Sequence, residues 1–185
     1  SQPASAVEAR FRRALDEDDS IDRVVLLGAW FSYSHPSANF SVDGVSLSEP
    51  RGLREAAASL ESLLRNLVAR GKKVILVLGF PAHERLNPLA FLHRGLDGVR
   101  LMTPRRVTVE DVFNRQPAPL REFQTDIVTR AECLGIEVVD PMSFLCPNGE
   151  CIGENENGPI RYDNTHLRPD FVRDHFDILD HTVAP

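Results

Sequence analysis

Three short segments rich in valine, isoleucine and leucine constrain the fold of this chain more than any other feature. They are RVVLLGAW at 23–30, KKVILVLGF at 72–80 and GIEVVDP at 135–141. Continuous apolar runs of this length are typical of strands that are buried on both faces of a parallel sheet. The chain is therefore predicted to contain three such strands.

Segments with helical periodicity separate the predicted strands. Between 53 and 67, leucine and alanine recur every three or four residues, with a proline before them and a glycine after them. A second amphipathic helix is predicted over 120–134, and a short one over 108–114 precedes it. A last helix is predicted to begin near Pro169. Its predicted inner face consists of Phe171, Val172, His175, Ile178 and Leu179.

Alternating strands and helices predict a single α/β domain over residues 1–185, with a mainly parallel sheet and right-handed crossovers. Ligands of such sheets bind beyond the carboxyl ends of the strands. No glycine-rich phosphate loop follows any predicted strand, which disfavours a nucleotide-binding domain.

Composition limits the classes of partner. The 185 residues carry a formal charge of −6, and lysine and arginine form no dense cluster interleaved with aromatic residues. Nucleic acid is therefore not an expected partner. The longest strongly apolar run, VILVLGF at 74–80, is far shorter than the roughly 18 residues that span a bilayer. The start of the sequence lacks the apolar region of a signal peptide.

The three cysteines carry information about the compartment. Cys133 lies near the end of a predicted helix, where a buried free thiol is expected. Cys146 and Cys151 enclose proline, asparagine and glycine, and such turn-forming residues can bring two thiols within bonding distance. We interpret this pair as a disulfide, because the alternative, a zinc site, needs more ligands than one cysteine pair supplies. A disulfide would place the domain outside the cytosol.

The segment RYDNTHLRPDFVRDH at 161–175 places Asp163 three residues before His166. At this spacing the aspartate can accept the Nδ1 proton of the imidazole, which leaves Nε2 free to act as a base. These are two of the three groups of an acyl-transfer triad. The alternative is a helix-capping aspartate beside a surface histidine, because this spacing also arises by chance.

The longer string LCPNGECIGENENGPIRYDNTHLRPDFVRDH resembles the last block of SGNH hydrolases. The resemblance is to the version fused to membrane acyltransferases of acyltransferase family 3, where a cysteine pair, a Gly-Pro step and a Tyr-Asp precede His-Leu. IDRVVLLGAWFSYS and GKKVILVLGFPAHERLNP resemble two strands of that family, so the likeness extends over roughly residues 20–180. It implies a flavodoxin-like, three-layer α/β/α fold and catalytic roles for Asp163 and His166.

The sequence departs from that family at the nucleophile. Family members begin with a strand that ends in Gly-Asp-Ser, and this tripeptide does not occur in the 185 residues. Ser32 and Ser34 follow the first predicted strand, but they occupy the place of a later block and are interpreted as loop serines. We therefore expect the first strand and the nucleophile to lie upstream, so that this chain is incomplete and inactive alone. A sheet without that strand would expose edges that invite pairing between chains.

Three further residues are predicted to contact the substrate or its oxyanion. The broader superfamily has Gly-x-Asn where this sequence has Gly28 and Trp30, and an indole N–H can donate one hydrogen bond. A packing role for Trp30 is the alternative. His83 follows the second strand at the predicted active-site edge, and a solvated loop histidine is the alternative there.

The resemblance implies O-acyl transfer, usually of acetyl, to a hydroxyl of a periplasmic or cell-surface glycan by a Ser-His-Asp mechanism. The membrane acyltransferase domain of the parent protein would deliver the acyl group, and the SGNH domain would lie in the bacterial periplasm. No metal or bound cofactor is implied. Hydrolysis of acylated glycans is one alternative, since water can replace the sugar hydroxyl. A non-catalytic module that binds glycan or protein is another, which the missing nucleophile favours.

Overall fold

The structure is a computed structural model that describes residues 13–15, 18, 20–28, 40–102 and 106–182. The strands in these residues are β1 (Arg23–Leu27), β2 (Ser41–Val42), β3 (Val45–Ser46), β4 (Lys73–Val77), β5 (Leu92–Gly95), β6 (Gly98–Leu101), β7 (Glu137–Val139), β8 (Glu154–Asn155) and β9 (Gly158–Pro159). The α-helices are α1 (Pro50–Ala69), α2 (Val109–Arg115), α3 (Ala118–Cys133), α4 (Pro141–Leu145) and α5 (Pro169–His175). Short 3₁₀ turns cover Glu84–Leu86, Pro88–Phe91, Pro147–Gly149 and Asp180–Thr182.

The three predicted strands form one parallel sheet in the order β1-β4-β7. This confirms the predicted α/β class, although each strand is shorter than the apolar segment that predicted it. β7 ends at Val139, because Asp140 then caps α4 through its side chain and Pro141 has no N–H to donate to a ladder. Because the three strands are parallel, their carboxyl ends lie at one edge of the sheet.

Both long helices cover the same face of the sheet. Right-handed crossovers place successive helices on one face when the strand order runs in one direction, as it does here from β1 through β4 to β7. The buried core of this face comprises Val24, Val74 and Leu76 from the strands, Leu64 and Leu67 from α1, and Ala131 from α3.

No described helix combines the length and apolar character that a bilayer crossing requires.

The described residues cover the opposite face of the sheet only in part. Ile75 and Val77 of β4 pack against Ile178 and Leu179, which follow α5. β1 presents Val25 and Leu27 on this same face, because they pair in register with Ile75 and Val77, yet their side chains are 40% and 55% exposed.

The prediction for the last helix is confirmed at its start and wrong at its end. α5 begins at Pro169 but stops at His175, so Ile178 and Leu179 reach the sheet from the segment that follows the helix. Phe171 is buried as predicted, whereas Val172 and His175 are exposed. Cys133, at the end of α3, is also exposed, so the prediction of a buried thiol is wrong.

Gly52 in the first turn of α1 allows the helix to lie directly against the β2–β3 hairpin. A Cβ added at Gly52 would lie 2.0 Å from the carbonyl oxygen of Ser46, which is backbone and cannot rotate away. We expect Gly52→Ala to lower the free energy of unfolding by about 2 kcal/mol, because overpacking outweighs the helix propensity that alanine adds. Urea denaturation measures this difference.

Gly95→Ala is the matched control, because a Cβ there would approach no atom closer than 3.9 Å. We expect it to change the free energy of unfolding by less than about 0.5 kcal/mol. Equal effects of the two substitutions would mean that the contact between α1 and the hairpin does not constrain the fold.

Candidate active site

The candidate site is built on the long connection that leaves the carboxyl end of β7. The predicted disulfide between Cys146 and Cys151 is confirmed, and it closes the first part of this connection. Two backbone hydrogen bonds hold the same region: Ile152 N–H donates to Leu145 O at 2.7 Å and Cys151 N–H donates to Val107 O at 2.7 Å. The disulfide and these two hydrogen bonds therefore fix the segment from Leu145 to Ile152, and the chain continues from there to the candidate catalytic pair.

A closed loop presents the candidate catalytic pair. Ile160 is 1% exposed and anchors the start of the loop in a core cluster that includes Phe171 of α5. Arg168 N–H donates to Ile160 O at 2.9 Å, and Tyr162 N–H donates to His166 O at 2.9 Å. These two bonds close residues 160–168 into a loop with the pair at its tip.

Asp163 uses both carboxylate oxygens within this loop. Its Oδ2 lies 2.8 Å from Nδ1 of His166. Its Oδ1 accepts the backbone N–H of Thr165 at 2.7 Å, the Thr165 hydroxyl at 2.9 Å and the backbone N–H of His166 at 2.8 Å. The His166 side chain and these N–H groups hold the pKa of Asp163 well below its usual range, so its carboxylate stays ionised in mildly acidic solution.

This geometry orients the His166 imidazole as a base. An ionised carboxylate on Nδ1 favours the tautomer with its proton on Nδ1, which leaves the Nε2 lone pair free. The His166 side chain is 77% exposed, so Nε2 is accessible to an incoming hydroxyl. Asp163 does not cap α5, because the N-cap of that helix is Arg168 and no side chain caps it, whereas His166 lies at the surface as that alternative expects.

His83 is buried, which contradicts the alternative of a solvated loop histidine. It is 5% exposed, and its Nδ1 accepts the backbone N–H of Arg85 at 3.0 Å. Burial, assisted by the charges of Arg85 and Arg115, lowers the pKa of His83. The neutral ring therefore carries its proton on Nε2 and can act as a hydrogen-bond donor. Contact between His83 and substrate stays a prediction.

The other two predicted substrate residues follow β1. Gly28 directly follows Leu27, at the carboxyl end of that strand. Trp30 lies outside the described residues, as do Ser32 and Ser34. Oxyanion contacts of Gly28 and Trp30 stay predictions.

A cleft of about 410 Å³ lies beyond the carboxyl ends of β4 and β7. Phe80, Phe113, Gln116 and Asp140 contribute to its wall, and neither Asp163 nor His166 does. The candidate catalytic pair therefore projects from a separate loop and not from the wall of this cleft.

Two residues of the loop were not identified from the sequence. Thr165 holds Asp163 through its backbone N–H and its hydroxyl, and an aspartate two residues before a threonine is a recognisable turn pattern that could have indicated it. Arg161 is 1% exposed, although an arginine in a polar loop is ordinarily solvated. No local signal in the sequence distinguishes Arg161 from a surface arginine.

Arg161 is buried, and no described residue provides a counter-ion in contact with it. Its Nε, Nη1 and Nη2 atoms have no hydrogen-bond partner among the described residues. Burial lowers the pKa of Arg161 to about 10, and the Asp163 carboxylate opposes that shift. A cation in this environment destabilises the folded state.

Comparisons with known proteins agree with this architecture. The family described as "SGNH domain (fused to AT3 domains)" matches residues 2–176. An acetyl xylan esterase, AlAXEase, has a similar solved fold, with a TM-score of 0.53 and 15% identity over 96% of this chain and 76% of that chain. No curated protein matched the sequence. The family match confirms the resemblance seen in the sequence, and this chain belongs to the SGNH domain family whose members are fused to AT3 domains.

Proposed function

We propose that this domain transfers an acyl group, usually acetyl, to a hydroxyl of a periplasmic or cell-surface glycan. The observation that carries the proposal is the pairing of Asp163 with Nδ1 of His166 at 2.8 Å, in a chain whose family is fused to AT3 domains. That fusion supports a membrane-associated parent protein with a domain that delivers the acyl group. The Cys146–Cys151 disulfide supports a periplasmic location.

In the proposed mechanism, Nε2 of His166 accepts the proton of a serine hydroxyl as the serine oxygen attacks the acyl carbon. The bond to the donor's leaving group breaks, the imidazolium returns its proton to that group, and an acyl-serine remains. Nε2 then removes the proton of the sugar hydroxyl, whose oxygen attacks the acyl-serine. The new ester bond forms as the bond between the acyl carbon and the serine oxygen breaks, and the imidazolium returns its proton to that serine oxygen. Asp163 stabilises the imidazolium in both steps.

The proposed nucleophile is a serine in sequence that this chain does not contain, because no Gly-Asp-Ser occurs in the 185 residues. The proposed oxyanion donors are the backbone N–H of Gly28 and the indole N–H of Trp30. His83 is proposed to donate to the substrate from Nε2, since its Nδ1 is already an acceptor.

The proposal is tested by measuring hydrolysis of an activated acetyl ester by this chain and by a version that carries further amino-terminal sequence of its gene. We expect activity only in the extended version. His166-dependent activity in the 185 residues alone would place the nucleophile among them. No activity in either version would favour a non-catalytic module that binds glycan or protein.

Esterase activity is the second candidate, because the similar solved structure is that of an acetyl xylan esterase. Adding a sugar acceptor to the same assay separates the two functions. A transferase forms O-acetyl sugar at the expense of acetate, whereas an esterase releases acetate at the same rate with and without the sugar.

A further inference from the structure

Exposed apolar side chains are concentrated in the β5–β6 hairpin and in the residues directly before and after it. Of the eleven large apolar side chains that are exposed among the described residues, four lie within residues 89–102. They are Leu89, Leu96, Val99 and Met102, which are 68%, 109%, 62% and 55% exposed.

The Leu96 side chain is fully exposed and does not pack in the core of the domain. It occupies the two-residue turn between β5 and β6, where asparagine, aspartate and glycine are the usual residues. All side chains from His93 to Arg100 are exposed, so the hairpin projects from the domain and none of these side chains belongs to its core. An apolar side chain at the tip of a projecting hairpin indicates an interaction surface.

The charge of this segment is opposite to that of the chain as a whole. The hairpin itself, residues 92–101, contains Arg94, Arg100 and Asp97, a formal charge of +1 in a chain of −6, and Nη2 of Arg100 lies 3.5 Å from the Asp97 carboxylate. The antiparallel register pairs Arg94 with Val99 and His93 with Arg100, so each face of the hairpin carries an arginine beside the apolar tip. Apolar side chains flanked by arginine are suited to the boundary between acyl chains and anionic lipid headgroups.

We infer that the β5–β6 hairpin docks this domain onto an anionic membrane surface, with Leu96 inserted at the headgroup boundary and Arg94 and Arg100 on lipid phosphates. The membrane is the favoured occupant because the family is fused to AT3 domains and because the basic hairpin complements anionic lipid. The hairpin lies in the connection that leaves the carboxyl end of β4, the sheet edge that also gives rise to the catalytic loop. Docking would thus bring the catalytic pair towards the membrane, an orientation that rests on the proposed function.

Vesicle flotation of the whole chain tests this inference. We expect binding to vesicles of phosphatidylglycerol and phosphatidylcholine and at least tenfold weaker binding to phosphatidylcholine alone. Arg94→Ala with Arg100→Ala should weaken binding to the anionic vesicles by about tenfold to thirtyfold, and salt should reproduce that loss. Leu96→Ser should weaken it by at least about fivefold. These variants alter solvated side chains, so the fold should be retained.

The matched controls lie on the exposed side of α1. Arg51→Ala with Arg54→Ala removes the same charge, and Val68→Ser removes a side chain that is 38% exposed. Both should bind within about twofold of the unaltered chain. The inference is overturned if the hairpin variants bind as the controls do, or if the unaltered chain does not bind anionic vesicles. Vesicle binding does not depend on ester hydrolysis, so this test and that of the proposed function can fail separately.

Discussion

His166→Ala is expected to lower kcat for acetyl-ester hydrolysis at least about a thousandfold in the protein that includes the serine nucleophile. The loss follows from the geometry: Nε2 is the exposed atom of a ring whose Nδ1 is held by Asp163 at 2.8 Å. Without the imidazole, no group in the loop accepts the serine proton. Initial rates with an activated ester, together with circular dichroism to verify folding, measure the effect.

Asp163→Asn should lower kcat by about a hundredfold to ten-thousandfold, because an amide cannot stabilise the imidazolium and favours the wrong tautomer. Combining it with His166→Ala should lower kcat no further than His166→Ala alone, since the two residues act as one unit. Asp170→Asn is the matched control, because this carboxylate of α5 pairs with Arg168 and not with His166. It should retain activity within about twofold. The catalytic pair would be contradicted if the reductions in kcat from the Asp163 and His166 substitutions were additive. It would also be contradicted if Asp170→Asn lowered kcat as much as Asp163→Asn.

Arg161→Met is expected to stabilise this chain by roughly 2–3 kcal/mol in the free energy of unfolding. Burial lowers the pKa of Arg161 to about 10 in the folded chain, so folding disfavours the charged form. For a base with a lowered pKa, this penalty is fully present below the folded pKa and disappears as the pH rises from there to the higher pKa of the unfolded chain. At neutral pH the penalty is therefore complete, and methionine removes it while it fills similar space. Urea denaturation at pH 7 measures the gain.

Arg168→Met is the control for this second prediction, because Arg168 lies in the same loop but is paired. Its Nε and Nη2 atoms bind the Asp170 carboxylate at 3.0 and 2.5 Å, and its Nη1 atom donates to Pro159 O at 3.2 Å. We expect this substitution to destabilise the chain by about 1 kcal/mol. If Arg161→Met destabilises it as much, then the Arg161 guanidinium has a partner in solution and the penalty is absent.

The pairing of Asp163 with His166 could be predicted from the sequence because its geometry is local. Asp163, Thr165 and His166 lie within four residues of one another, and their hydrogen bonds form inside a single turn. The Cys146–Cys151 disulfide was predictable for the same reason, since the intervening residues favour a turn. Contacts of this kind depend on residue type and spacing, both of which the sequence displays.

Burial could not be predicted in the same way. Solvation was the alternative for His83, yet its side chain is 5% exposed, and Arg161 is 1% exposed although arginine is ordinarily a surface residue. Cys133 lies on an amphipathic helix, but its position in the last turn of α3 points away from the core. In each case the environment is set by residues distant in the chain, whose positions depend on how the layers pack.

The sequence by itself determined the class of fold, the three parallel strands, the two long helices and the pairing of Asp163 with His166, because hydrophobic periodicity and turn chemistry act over short distances. Only the tertiary structure decided which face of the sheet the helices cover, which left Val25 and Leu27 exposed on the other face. It also decided that Arg161 is desolvated without a partner among the described residues and that the β5–β6 hairpin projects from the domain. These features depend on how several elements pack against one another, and no short segment of the sequence determines that packing.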